Sequence, residues 1–176
     1  MKKYKIISLI LCVCMILSGC FAHNNGSTQP TLLRIHVRAN SNLESDQAVK
    51  LKVRDEIEKV LKSELDGVED FSSAYAIVQE NLTKLDEIAE KTLKEEGFDY
   101  GATVRLNNEY FPTRAYQSVV VESGYYDALI VELGSGKGDN WWCVIYPPLC
   151  FVGASEGDGF SYRSLIKEIW DKYLKK

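Results

Sequence analysis

The run Trp141-Trp142-Cys143-Val144-Ile145-Tyr146 is apolar at every position. A strand sends alternate side chains to opposite faces. A strand with no polar side must therefore be covered on both faces, or keep one face for a partner. Pro147-Pro148 ends this run, because proline cannot continue a sheet ladder. Before it lies Gly134-Ser135-Gly136-Lys137-Gly138-Asp139-Asn140, a glycine-rich loop. The fold must supply layers around this segment.

Those layers are legible upstream. Leu33, Ile35, Val37 and Ala39 alternate with Arg34, His36, Arg38 and Asn40, which predicts a strand with one apolar face. Asn42 or Ser45 can cap the next helix, where Val49, Val53, Ile57, Val60 and Leu61 recur at helical spacing up to Leu65. Gly67 breaks it. A second helix is expected from a Ser72 or Ser73 cap to Glu96, ended by Gly97, with a solvated charged face. From Tyr100 the pattern turns to strands: Ala102–Leu106, a turn at Asn107-Asn108-Glu109, Tyr116–Val121, a turn at Glu122-Ser123-Gly124, Tyr126–Leu133 and Trp141–Tyr146. Short connections between them predict an antiparallel meander. Tyr162–Leu174 closes the chain as a helix after a loop marked by Gly153, Gly157 and Gly159. The expected fold is α+β, a single domain with a mostly antiparallel sheet of about five strands and helices packed on one face.

The N-terminus predicts a compartment. Met1-Lys2-Lys3-Tyr4-Lys5 is cationic and Ile6–Leu17 is apolar, the pattern of an export signal too short for a mature membrane span. Leu17-Ser18-Gly19-Cys20 is a lipobox, in which small residues admit the chain to a peptidase and the Cys20 thiol carries the lipid. Residues 1–19 read as a lipoprotein-type signal, 20–31 as a polar tether and 32–176 as the folded domain. A lipid on Cys20 would hold the domain at its own membrane. The alternative is free secretion. Loss of Lys2, Lys3 and Lys5 with the signal takes the formal charge from −4 to −7. An acidic mature domain lacks the basic footprint of a nucleic-acid binder, so no nucleic acid is expected as partner.

Several chemistries can be weighed on the residues. A phosphate loop requires Ser or Thr after its lysine and a helix beyond it. Here Gly138 follows Lys137 and a strand follows the loop, so no nucleotide is expected. Neither zinc-spaced cysteines nor paired metal-spaced histidines occur, and no cofactor is expected. In an exported chain Cys143 and Cys150 can bridge, or stay as buried thiols. Cys143 could instead be a nucleophile, with His36 as the one base available outside the tether. That arrangement would make an envelope thiol-dependent peptidase or cell-wall hydrolase. Trp141 and Trp142 are core residues, or one is displayed, as on a wall-glycan binding module or a protein interface. The polar row Arg34, His36, Arg38 and Asn40 continues into Asp46, Gln47, Lys50 and Arg54. These form either local pairs or a mixed-charge recognition patch, with Lys50 and Arg54 one helical turn apart.

Four segments together carry a resemblance: "RIHVRANSNLESDQAVKLKVRDEI" from Arg34, "FPTR" from Phe111, "GYYDALIVEL" from Gly124 and "GKGDNWWCVIYPPLCF" from Gly136. The chain resembles the stage II sporulation protein R family, exported signalling proteins of endospore-forming bacteria. The resemblance implies a non-enzymatic role in the space between forespore and mother cell. There the protein would trigger a membrane-embedded aspartic protease, which cuts the precursor of the sigma-E factor. The lipobox lies outside the family's core pattern. On this reading Lys137, Asn140, Trp141, Trp142 and Arg114 join the recognition candidates.

Overall fold

The computed structural model describes residues 31–116, 119–153 and 171–173. In chain order the elements are β1 (Leu33–Arg38), α1 (Glu44–Glu64), α2 (Phe71–Glu80), α3 (Leu82–Glu95), β2 (Ala102–Phe111), β3 (Arg114–Tyr116), β4 (Val119–Val121), β5 (Gly124–Leu133) and β6 (Asn140–Tyr146). A 3-10 turn, Cys150–Gly153, follows. The fold is α+β, a single domain.

The main sheet has four strands in the order β2-β5-β1-β6, and β3 pairs with β4 in a separate two-stranded sheet. The expected meander is corrected here. The N-terminal strand β1 inserts between β5 and β6, parallel to β5 and antiparallel to β6. Of the later strands, β2 pairs antiparallel with β5 in the main sheet and β3 pairs antiparallel with β4 in the small one. Non-local pairing with β1 outweighs the short β5–β6 connection, and it carries Leu33, Ile35 and Val37 into the helix-side core at the centre of the sheet.

Strand β1 keeps one apolar face, as its alternation predicts, but its polar face is covered as well. Leu33, Ile35 and Val37 face the helices and Arg34 and His36 face the other way, yet all five are buried. Two cores result. Helix-side residues Val49, Val53, Ile57 and Leu61 of α1, Ala74 and Val78 of α2, and Leu85, Ala89 and Leu93 of α3 pack on Ile35, Val37, Leu129, Val131 and Ile145. On the opposite face, Phe111, Val119, Val121, Tyr126, Ala128, Ile130 and Val144 form a smaller core beneath β3 and β4. Each fully buried aliphatic side chain contributes about 1.5–3 kcal/mol by leaving water.

Local differences have local causes. The expected single helix from Ser72 or Ser73 to Glu96 divides at Asn81, and its cap is Asp70, whose Oδ1 accepts from Ser73 N at 2.9 Å. The first helix starts at Glu44 after Leu43, which has no side-chain cap; Ser41 Oγ instead accepts from Leu43 N at 3.1 Å. Asn107-Asn108-Glu109 is strand, not turn, because its partners Ala128, Asp127 and Tyr126 continue the β5 ladder past it. The segment expected as one strand from Tyr116 to Val121 is divided between β3 and β4, with 117–118 outside the described residues. Of the closing helix expected over Tyr162–Leu174, residues 171–173 are helical, and the Tyr173 ring meets Tyr146 at 5.6 Å. The rest of it lies outside the described residues, as do the signal, Cys20 and residues 21–30 of the tether.

Candidate functional site

The glycine loop crosses the C-terminal end of β1. Strands β5 and β6 run in opposite directions with β1 between them, so the chain from Leu133 to Asn140 must step over that end. The crossing is held by backbone contacts: Gly138 N donates to Ala39 O at 2.8 Å, and Ser135 Oγ donates to Asn40 O at 2.7 Å. A Cβ on Gly138 would overlap the Ser41 carbonyl, and Gly136 takes a φ of 62°. Glycine is required there by close approach and by left-handed backbone, not by a phosphate.

Four of the expected recognition residues are built into this corner. Asn40 Nδ2 donates to Asp46 Oδ2 at 3.1 Å, and its Oδ1 accepts from Ser135 N at 2.9 Å. Asp46 is buried and also accepts from Ser41 Oγ at 2.5 Å and Tyr100 OH at 2.7 Å. Burial alone would raise the Asp46 pKa, but the bonds from Ser41, Tyr100 and Asn40 together hold it below the usual carboxylate value. Gln47 Nε2 donates to Ser41 O at 2.9 Å, and buried Lys50 donates to Asp139 O at 2.9 Å. Lys137 at the loop is exposed.

The two tryptophans part company. Trp141 pairs with Val37 and lies on the helix side, where the Arg54 guanidinium sits 5.1 Å from its ring. Trp142 pairs with His36 and lies on the opposite face, with Arg114 of β3 3.9 Å over its ring. The indoles therefore form no common platform for a sugar.

Cys143 and Cys150 form a disulfide, with Cα atoms 5.9 Å apart. Cys143 pairs with Ile35 and belongs to the helix-side core, whereas His36 points to the other face. The sheet separates them. A Cys143–His36 catalytic dyad is corrected on both counts: the sulfur is bridged, and the imidazole is on the wrong side.

The face bearing His36 gathers the remaining candidates. At one end Arg34 is fully buried, packed over Phe111 at 4.2 Å and Tyr126 at 5.0 Å, and donates from Nη2 to Tyr116 OH at 2.9 Å. Burial lowers its pKa, and among the described residues no carboxylate offsets this. His36 contacts Phe111 and Trp142 at ring distances of 5.7 and 5.2 Å. Its pKa falls to about 4, first through burial and then through the charge of Arg38. Toward the open end, Arg38 donates to Glu109 at 2.5 Å and Glu132 at 3.3 Å, and Arg105 to Glu132 at 2.8 Å. Asn140 is exposed at the edge of this row.

Four buried nitrogens here have no partner among the described residues: Arg34 Nε and Nη1, His36 Nε2 and Trp142 Nε1. Such groups are costly to leave unpaired. Their clustering marks this face as one where the described residues leave polar groups buried and unpaired. Arg105, Glu109 and Glu132 were not among the sequence candidates. The alternation Arg105, Asn107, Glu109 could have revealed two of them, had those residues been read as strand.

A family model described as stage II sporulation protein R (spore_II_R) matches residues 29–156. The chain belongs to the stage II sporulation protein R family. Its similarity extends to a curated relative, stage II sporulation protein R of Bacillus subtilis (strain 168), at 30% identity over 188 residues. That alignment covers 100% of this chain and 80% of the relative. No solved structure matches the chain. Family membership assigns the protein to sporulation. The matched span contains both the glycine corner and the Arg34–Trp142 face.

Proposed function

We propose that this protein is an exported signal that docks on a membrane-embedded aspartic protease facing the mother cell and, by contacting its active form better, shifts it toward that form. The protease then cuts the sigma-E precursor, and the signal itself makes and breaks no bond. Family membership over residues 29–156 carries this reading. It is supported by a sheet face that concentrates unpaired buried nitrogens beside exposed Arg114 and Asn140. Docking would use Arg38, Arg114, Lys137, Asn140 and Trp142, with Arg34 and His36 beneath them. Asn40, Asp46, Gln47 and Lys50 would present the glycine loop, and Arg54 would support Trp141. Anchoring through lipid on Cys20 would confine the signal to one membrane surface, the space between forespore and mother cell.

The deciding experiment co-expresses this protein, the protease and the sigma-factor precursor in a host that does not sporulate. Cleavage of the precursor is expected only when all three are present. Cleavage without this protein, or none with it, defeats the proposal. Mass spectrometry of the mature chain tests the anchor, and an unmodified Cys20 would remove it.

A further inference from the structure

Among the described residues, strand β2 is an edge of the main sheet, paired with β5 alone. The first half of its outer edge is closed by side chains of α3. Glu90 Oε1 accepts from Ala102 N at 2.6 Å and Asp86 Oδ1 accepts from Val104 N at 2.9 Å. The register with β5 runs unbroken from Ala102 to Phe111. The N–H and C=O groups of Leu106, Asn108 and Tyr110 therefore point outward, as those of Ala102 and Val104 do. Among the described residues, no such carboxylate caps the edge beyond Val104.

This open half is also marked by its side chains. Tyr110 is 59% exposed and its cross-strand partner Tyr125 is 72% exposed, their rings 5.7 Å apart in an edge-to-face contact. Asn107 and Asn108 are exposed between the charged cluster and the tyrosines. Unblocked strand edges recruit other chains, and proteins normally blunt them. Among the described residues, one half is blunted and the other is open beside an aromatic pair.

We infer that the Leu106–Tyr110 edge is a docking strand, to which the partner adds an extended segment of its own chain, backbone to backbone. The occupant follows from the geometry. Outward donor and acceptor pairs repeat every second residue, roughly 6.5–7 Å apart, which matches an extended peptide. A helix has its backbone groups already paired, and a lipid or sugar has no such repeat. Tyr110 and Tyr125 then receive a side chain of the added strand. This rests on the partner-recognition reading and specifies how that recognition is made.

The test uses the full-length protein and the detergent-solubilised protease. In the free protein, hydrogen exchange should be fast at the amides of Leu106, Asn108 and Tyr110 and slow at those of Arg105, Asn107 and Glu109. Complex formation should slow the first three. Asn108→Pro removes an outward donor at a position where the inner ladder needs none. It and the surface double variant Tyr110→Ser/Tyr125→Ser should each weaken binding about tenfold or more. Should Asn108→Pro fail to fold, the double variant and the exchange pattern decide alone. Wild-type binding with unchanged exchange at the three amides, or with both variants binding normally, overturns the docking strand only. Protection of the three amides in the free monomer overturns it too. So does a concentration-dependent dimer that Asn108→Pro dissolves, because the occupant is then a second copy. Absence of wild-type binding defeats the functional proposal and this inference with it.

Discussion

His36 and Cys143 occupy adjacent strands and opposite faces of one sheet: His36 stands across from Trp142, and Cys143 across from Ile35. This divides their roles. Cys143 staples β6 to the turn at Cys150 on the helix side, while His36 belongs to the Arg34–Trp142 face. Losing the disulfide should thus cost stability alone. For a loop of this separation, 7 residues, the chain-entropy model gives about 2–3 kcal/mol. Cys143→Ser and Cys150→Ser should lower the urea midpoint alike, while His36→Gln leaves the free-thiol count unchanged. A Cys143→Ser protein of wild-type stability that fails in precursor cleavage would argue for thiol chemistry after all.

Arg34 places a guanidinium in an aromatic box with no counter-charge among the described residues. Replacing a buried charge by an apolar side chain of similar length is often neutral or favourable by about 1 kcal/mol or more. Arg34→Met is therefore expected to fold with equal or greater stability in urea and to lose partner activation. Arg34→Ala leaves a hole and should cost about 2 kcal/mol or more. Full activity in Arg34→Met would show that the cation serves no recognition.

The His36 pKa lies near 4, below the ordinary 6.5, so the unfolded chain binds the proton more readily than the folded one. Stability associated with neutral His36 is present above pH 6.5 and is lost as pH falls from there through about 4. Glu58 has the opposite sign. Burial raises its carboxyl from 4.5 to about 7, so its contribution is full below 4.5 and fades as pH rises through 7. Denaturation of wild type, His36→Gln and Glu58→Gln at several pH values should separate the two slopes, each at most about 1.4 kcal/mol per pH unit. A His36 ring titrating near 6.5 by NMR would refute the first assignment.

Gly138 approaches the Ser41 backbone so closely that a methyl group has no room. Gly138→Ala should destabilise the chain by about 1–3 kcal/mol, the range for overpacking. Gly136→Ala, at a φ of 62° and with its Cβ 2.6 Å from Glu132 Cγ, should cost about 1–2 kcal/mol through backbone strain, with the flexible Glu132 side chain shifting aside. Thermal denaturation of both variants orders the two effects, and a Gly138→Ala protein as stable as wild type would show that the loop yields.

By itself the sequence determined the faces. Alternation in Leu33–Arg38, helical spacing from Val49 to Leu61, and the apolar run Trp141–Tyr146 each state which side chains share a side, because strand and helix periods are local properties of the backbone. The family, too, was legible in its motifs. Tertiary structure alone decided which strand meets which. It put β1 between β5 and β6, extended β2 through Asn107-Asn108-Glu109, buried Arg34 and His36, and set Trp141 beside Arg54 and Trp142 under Arg114. Pairing and burial join residues many tens of positions apart, and no local period encodes which distant ladder will complete a strand or which layer will cover its second face.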